Sequence, residues 1–197
     1  RRPTRFHKPP PPDKETQMRP DIRPGAILPD YELPDQDGVI RRLSEVAADQ
    51  PTILVLSRGQ FCPKDHQQHR ELAELLPRIE VAYTSIVTIT TDDAQSCYDM
   101  KKATGATWTF LSDPARIVQR DLEIQETTDP YHDPMVPHTL VLAPGLIVYS
   151  IYCGYWFWGR PSRDELWHDL REVLRSTRTD FDPTANPATP ALTGKPR

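Results

Sequence analysis

SRGQFCPKDHQQHREL, residues Ser57 to Leu72, decides how this chain folds, because it puts a cysteine and then a proline where an apolar strand passes into a polar, helix-forming run. Upstream, Thr52-Ile53-Leu54-Val55-Leu56 is short, branched and apolar, the composition of a fully buried strand. Downstream, Leu72, Leu75, Leu76 and Ile79 recur at helical spacing, with a break expected near Pro77. Cys62 therefore falls at a helix N-terminus, where unpaired backbone N–H groups and the positive end of the dipole favour thiolate over thiol. Pro63 suits the first helical position, which needs no N–H partner and takes the φ that proline fixes.

Around this centre, strands and helices alternate. Before it, the stretch from Arg23 to Leu33, a turn at Asp35-Gln36-Asp37-Gly38 and then Val39-Ile40 predict a β-hairpin, followed by a short helix from near Ser44. After it, Ser85 to Thr90 is a second apolar strand, ending in Thr91-Asp92-Asp93, which caps a helix carrying Cys97 and Met100. Trp108 to Leu111 reads as a strand, Pro114 to Leu122 as a helix with proline in its first turn, and Thr127 to Pro137 as a loop. His138 to Leu142, a turn at Pro144-Gly145 and Leu146 to Tyr152 make an antiparallel hairpin, and Ser162 with Glu165 opens the last helix as a capping box. A β-α-β unit followed by a β-β-α unit, with a cysteine at the first helix N-terminus, is the order of a thioredoxin-like α/β fold. Its central mixed sheet is flanked by helices, here with an N-terminal hairpin extension.

A chain of 197 residues with 37% hydrophobic content predicts one domain with appendages. Its 22 prolines locate them: Pro9 to Pro12 run consecutively, and Pro183, Pro187, Pro190 and Pro196 punctuate the end. Residues 1–22 and 180–197 are accordingly expected to be proline-rich arms, extended or disordered, around a folded unit over 23–179. The net charge of −4 gives no case for nucleic acid, and the locally basic first arm reads as a solvated tail. No apolar run approaches the roughly 20 residues of a membrane span, and no secretory signal pattern is visible. Three cysteines, an odd number, argue against a disulfide framework and for a reducing compartment, by default the cytoplasm.

Several short motifs stand in a telling order: Pro24-Gly25 and Pro29-Asp30, Leu43-Ser44, Arg58-Gly59-x-Phe61-Cys62-Pro63, Thr91-Asp92-Asp93, and Gly159-Arg160 ahead of Glu165. Together they resemble the AhpC/TSA group, the redoxin or peroxiredoxin-like branch of the thioredoxin superfamily, over nearly the whole folded region. The resemblance implies an antioxidant oxidoreductase, a thiol-dependent peroxidase or thiol-disulfide oxidoreductase without a bound cofactor. Cys62 would be the redox-active cysteine whose thiolate attacks a hydroperoxide and becomes a sulfenic acid. Arg160 matches the family's second arginine, Arg58 is a nearby cation, and Gly59, Pro63 and Pro137 would border the substrate. The implied partners are a hydroperoxide or a thiol or disulfide substrate and an external thiol reductant, and the resemblance is compatible with a homodimer.

The chain departs from that pattern in named places. Where the family has a proline and a threonine seven and three residues before the cysteine, and an arginine opening the strand after the long loop, this chain has Val55, Gly59 and Pro137. Where a dithiol enzyme has its second cysteine stands Asp65, whose carboxylate opposes thiolate formation while Lys64 favours it. Pro137 before His138-Thr139-Leu140 resembles the cis-proline that faces the active cysteine in thioredoxin-like proteins; the plainer reading is an ordinary loop proline.

Cys97 is a candidate resolving cysteine, though a buried helical cysteine is the commoner fate, and its helix would have to open to reach the ~4.4–6.8 Å Cα separation of a disulfide. Cys153 reads as core. An alternative function is metal binding, with Cys62, His66 and His132 or His138 as a copper site; solvated histidines at 66 and 69 are the plainer reading. A further alternative is a redoxin-fold interaction scaffold, with the arms and the aromatic run Tyr155, Trp156, Phe157 and Trp158 as contact surfaces.

Overall fold

The computed structural model describes residues 18–154 and 159–178. Residues 1–17 and 179–197, where most of the expected arms fall, and the aromatic run 155–158 lie outside the described residues. Strands β1 (Glu32–Pro34) and β2 (Ile40–Arg42) form the antiparallel entry hairpin, followed by α1 (Leu43–Ala47). The central sheet contains β3 (Thr52–Ser57), β4 (Ser85–Thr90), β5 (Thr109–Ser112), β6 (His138–Ala143) and β7 (Ile147–Cys153), in the spatial order β5-β4-β3-β6-β7. β3 pairs in parallel with β4, and β4 with β5, while β6 and β7 run antiparallel.

Every residue of β3 is buried, as a central strand covered on both faces requires. Its alternation divides the core in two. Leu54 and Leu56 join Val87, Ile89, Leu140 and Leu142 on the face covered by the N-terminal segment and α1. Ile53 and Val55 join Ile86, Phe110 and Val141 on the other face, under α2 (Pro63–Glu80), α3 (Ala94–Thr104) and α5 (Arg163–Thr177). Each such side chain contributes about 1.5–3 kcal/mol by its burial. Asp93 caps α3 by accepting from the Ser96 N–H at 2.8 Å, and Ser162 and Glu165 form the capping box of α5.

Four sequence expectations are corrected. α2 does not end at Pro77 but continues to Glu80, because Ile79 is wholly buried on the same face as Leu72 and Leu75. That packing offsets the roughly 3 kcal/mol a helical proline costs. The helix expected from Pro114 is only α4 (Ile117–Asp121): Arg116 is left-handed at φ 56°, and Asp113 accepts from the N–H groups of Ile117 and Val118 at 2.7 and 2.8 Å. β5 starts at Thr109, leaving Trp108 to donate its indole N–H to Thr88 Oγ1 at 2.9 Å. Residues 18–22 belong to the fold rather than to the first arm, since Met18 and Ile22 are buried and the Arg19 N–H donates to the Leu122 carbonyl at 3.0 Å. No described helix is long and apolar enough to cross a membrane.

Candidate active site

Beyond Ser57 the chain leaves the sheet through a tight turn in which the Cys62 N–H donates to the Gly59 carbonyl at 3.0 Å. Cys62 is the N-cap residue of α2 and Pro63 its first residue, as the sequence predicts. The Cys62 carbonyl accepts from the N–H groups of Asp65 and His66, and the thiol residue is only 2% exposed.

The turn depends on glycine at 59. Gly59 sits at φ +125°, and a Cβ there would lie 2.8 Å from Asp92 Oδ1. The Asp92 carboxylate thus occupies the space that a side chain at 59 would fill. It also accepts from the Gln60 N–H at 2.7 Å and the Thr90 hydroxyl at 3.0 Å, and burial pushes its pKa up.

Asp65 is completely buried yet fully partnered. Oδ2 accepts from the Ser57 hydroxyl at 2.9 Å and the Arg58 N–H at 2.6 Å; Oδ1 accepts from Arg160 Nε at 3.1 Å and also from Arg160 Nη2. The carboxylate expected to oppose the thiolate is therefore matched by a guanidinium. Arg160 also lies against Gly154, where a Cβ would come within 2.7 Å of Nη1. It bears electrostatically on two neighbours across the sheet. It opposes the upward push of burial on the Cys153 thiol, and with burial it lowers the pKa of His138 to about 4. His138 is paired in register with Leu56 on one side and Cys153 on the other, and its Nδ1 lies 2.8 Å from the Val136 carbonyl.

Arg58 turns away from Asp65's side chain and spans to the long loop. Its Nη2 lies 3.0 Å from Glu126 and 3.4 Å from Asp129, and the guanidinium sits 5.3 Å from the Phe61 ring centroid. Asp129 in turn holds the His132 ring nitrogen at 2.9 Å, and the His132 ring stacks on Phe61. The loop and the Cys62 turn are thereby fastened together.

Other predicted residues stand as follows. Pro137 is not a cis-proline: no cis peptide occurs among the described residues. Its segment runs extended into β6, the Val136 N–H donating to the Ile124 carbonyl at 2.6 Å and the Gly154 N–H to the Pro137 carbonyl at 2.7 Å. His69 is not on a solvated face but wholly buried. It donates from Nδ1 to the Asp65 carbonyl at 2.6 Å and faces the Thr88 hydroxyl at 3.0 Å, and burial lowers its pKa. His66 meets the Gln60 carbonyl at 2.7 Å. Cys97 is in the core, and burial pushes its thiol up to about 12. Cys153 is half-buried against the opposite core face. No group of three or more His, Cys, Asp or Glu side chains among the described residues is arranged to hold a metal ion, so Cys62, His66, His132 and His138 are not gathered as a copper site.

Sequence reasoning missed Glu126, Asp129 and the stacking role of His132. Their partners lie about seventy residues away, and no local pattern announces them.

Comparison with known proteins agrees with this fold. The family model described as AhpC/TSA family matches residues 24–150. The fold is similar to that of peroxidoxin BcpB from Mycobacterium tuberculosis, with 22% identity, 79% of this chain and 97% of that one covered, and a TM-score of 0.64. It is also similar to peroxiredoxin 6 of Arenicola marina, with 13% identity, 86% of each chain covered and a TM-score of 0.67. The yeast mitochondrial 1-Cys peroxiredoxin is a third likeness, with 16% identity, 85% and 84% covered and a TM-score of 0.65. No curated protein matches the chain.

Proposed function

The chain belongs to the AhpC/TSA family, and we propose that it is a peroxiredoxin-like thiol peroxidase working through Cys62. The observation that carries this reading is the placement of Cys62 as N-cap of α2, above an Asp65 carboxylate already paired with Arg160. The thiol residue thus opens the helix, and the one carboxylate in its first turn has a guanidinium partner.

The thiolate attacks the terminal oxygen of a hydroperoxide, so that an S–O bond forms as the O–O bond breaks. The alcohol oxygen leaves with the electron pair and takes up a proton, and Cys62 becomes a sulfenic acid. An external thiol then displaces water to give a mixed disulfide, and a second thiol releases Cys62 in reduced form. The peroxide is reduced by two electrons and two thiols are oxidised to one disulfide. Arg160 and Asp65 hold the first turn of α2, while Arg58 ties the Cys62 turn to the loop carrying Glu126 and Asp129. Gly59 and Pro63 shape the approach, and Pro137 supports it by accepting from the Gly154 N–H. Three free cysteines suit a reducing compartment, the cytoplasm.

The test is trapping: one equivalent of hydroperoxide followed by dimedone should label Cys62 as the sulfenic acid adduct in a mass spectrum. Cys62→Ser should yield no adduct. A Cys62 that stays unmodified under excess peroxide would sink the proposal.

A further inference from the structure

Asp92 lies just past β4, against the turn that carries Cys62. Both hydrogen bonds to its carboxyl group, from the Gln60 N–H and the Thr90 hydroxyl, fall on Oδ2. Oδ1 accepts none among the described residues, and it lies 2.8 Å from where a Cβ on Gly59 would stand. Gly59 and Cys62 are the two ends of a β-turn, closed by the Cys62 N–H on the Gly59 carbonyl, which holds their Cα atoms within about 7 Å. A free carboxyl oxygen brought from the end of another strand thus fills the side-chain place three residues ahead of the nucleophile, a place this chain leaves to glycine.

We propose that Asp92 is the catalytic acid of this site, its Oδ1 giving the proton that the leaving oxygen takes up as the O–O bond breaks. The inference rests on the peroxidase reading and adds to it the origin of that proton. The surroundings favour the acid form. Burial raises the pKa of Asp92, and the like charges of Asp93 and Asp65 add to the rise against the hydrogen bonds from Gln60 and Thr90. Cys97, on which Asp92 bears in turn, is a thiol pushed up to about 12, chiefly by burial, and brings no charge at neutral pH. Because Oδ2 already accepts two hydrogen bonds, the proton of the acid form sits on Oδ1, on the side of Gly59. In the reaction the Cys62 thiolate forms its S–O bond with the terminal oxygen, the second oxygen leaves with the electron pair of the O–O bond, and Oδ1–H protonates it. Asp92, left as a carboxylate, regains a proton from water, to which it is partly exposed.

The experiment compares two small oxidants, hydrogen peroxide and peracetic acid, by their rate constants for Cys62 oxidation in the full chain at one pH. Hydroxide leaving from hydrogen peroxide needs a proton; acetate leaving from peracetic acid, a weak base, does not. Asp92→Asn keeps a carbonyl oxygen for Gln60 and Thr90 but has no proton to give. In that variant the ratio of the peracetic acid to the hydrogen peroxide rate constant should rise by about 10²-fold or more, the lower range of general acid catalysis. Taking the ratio within one protein cancels any general loss of folded material. In the unaltered chain, D2O should slow the hydrogen peroxide reaction more than the peracetic acid reaction, a second reading that needs no substitution. A ratio unmoved in Asp92→Asn would overturn the inference and leave Asp92 a holder of the turn; equal slowing of both oxidants in D2O would overturn it as well. If neither oxidant converts Cys62 of the unaltered chain, the peroxidase reading itself fails, an outcome distinct from a ratio that does not move.

Discussion

The carboxylate of Asp65, wholly buried in the first turn of the Cys62 helix, is ion-paired with the guanidinium of Arg160, 95 residues further along the chain. The pair joins the helix that presents the thiol to the segment leading into α5, so one contact serves both the site and the closure of the domain.

Removing one partner of a buried pair strands the other. Arg160→Ala would leave Asp65 with only the Ser57 hydroxyl and the Arg58 N–H. It should lower stability by about 3–5 kcal/mol, read from the urea midpoint. Arg160→Lys should recover only part of this, since an ammonium lacks the planar fork. An unchanged midpoint in Arg160→Ala would show that the pair does not hold the fold.

Stability should also fall in mild acid through two neutral buried imidazoles. His138 has its pKa lowered from 6.5 to about 4, and His69 is shifted in the same direction. Between those values the unfolded chain binds a proton that the folded chain refuses. The stabilisation is therefore complete above pH 6.5 and declines as the pH falls towards about 4. The slope should reach about 1.4 kcal/mol per pH unit for each histidine. Urea titrations at pH 7.5, 6.5 and 5.5 in steps of about one unit should show this decline, and His138→Gln should make it shallower.

Gly59→Ala should cost about 1–3 kcal/mol through its positive φ, and more through the approach of Asp92. Asp92→Ala in that background removes the crowding but not the backbone strain. The two substitutions should therefore be non-additive, with a coupling of about 1 kcal/mol in a double-mutant cycle. Strict additivity would mean that Asp92 has room to move aside.

Cys97 should stay out of the redox cycle. With its thiol pushed up to about 12 and its side chain in the core, it should resist iodoacetamide at neutral pH while the fold is intact. After one equivalent of peroxide, peptide mapping without reductant should find no Cys62–Cys97 disulfide, and turnover should require added thiol. Such a disulfide in the native protein would make Cys97 the resolving cysteine after all.

The parts of the molecule set by local rules were legible in the sequence. The apolar run before Ser57, Pro63 behind Cys62, the Asp93 cap and the Ser162–Glu165 box each depend on residues within a few positions of one another, and each stands where the pattern put it. Tertiary packing overrode the local signal at Pro77, where Ile79 kept the helix going, and at His69, whose polar character was satisfied inside the core by Asp65 and Thr88. The site was legible at its centre only. The sequence marks Asp92 only as part of a cap, and its second role against Gly59 depends on the proximity of the β3 and β4 ends. Glu126, Asp129 and His132 were silent because a long loop carries no periodicity to say where it returns.

The central position of β3 has one more consequence, in the order of synthesis. β3 and Cys62 leave the ribosome before the antiparallel neighbour β6, which begins at His138, and before Arg160, the partner of Asp65. Contacts of such long sequence separation form late and slowly. The nascent chain therefore presents Cys62 before the residues that complete its surroundings exist, and the setting of the thiol is assembled only once the segment around Arg160 has been made.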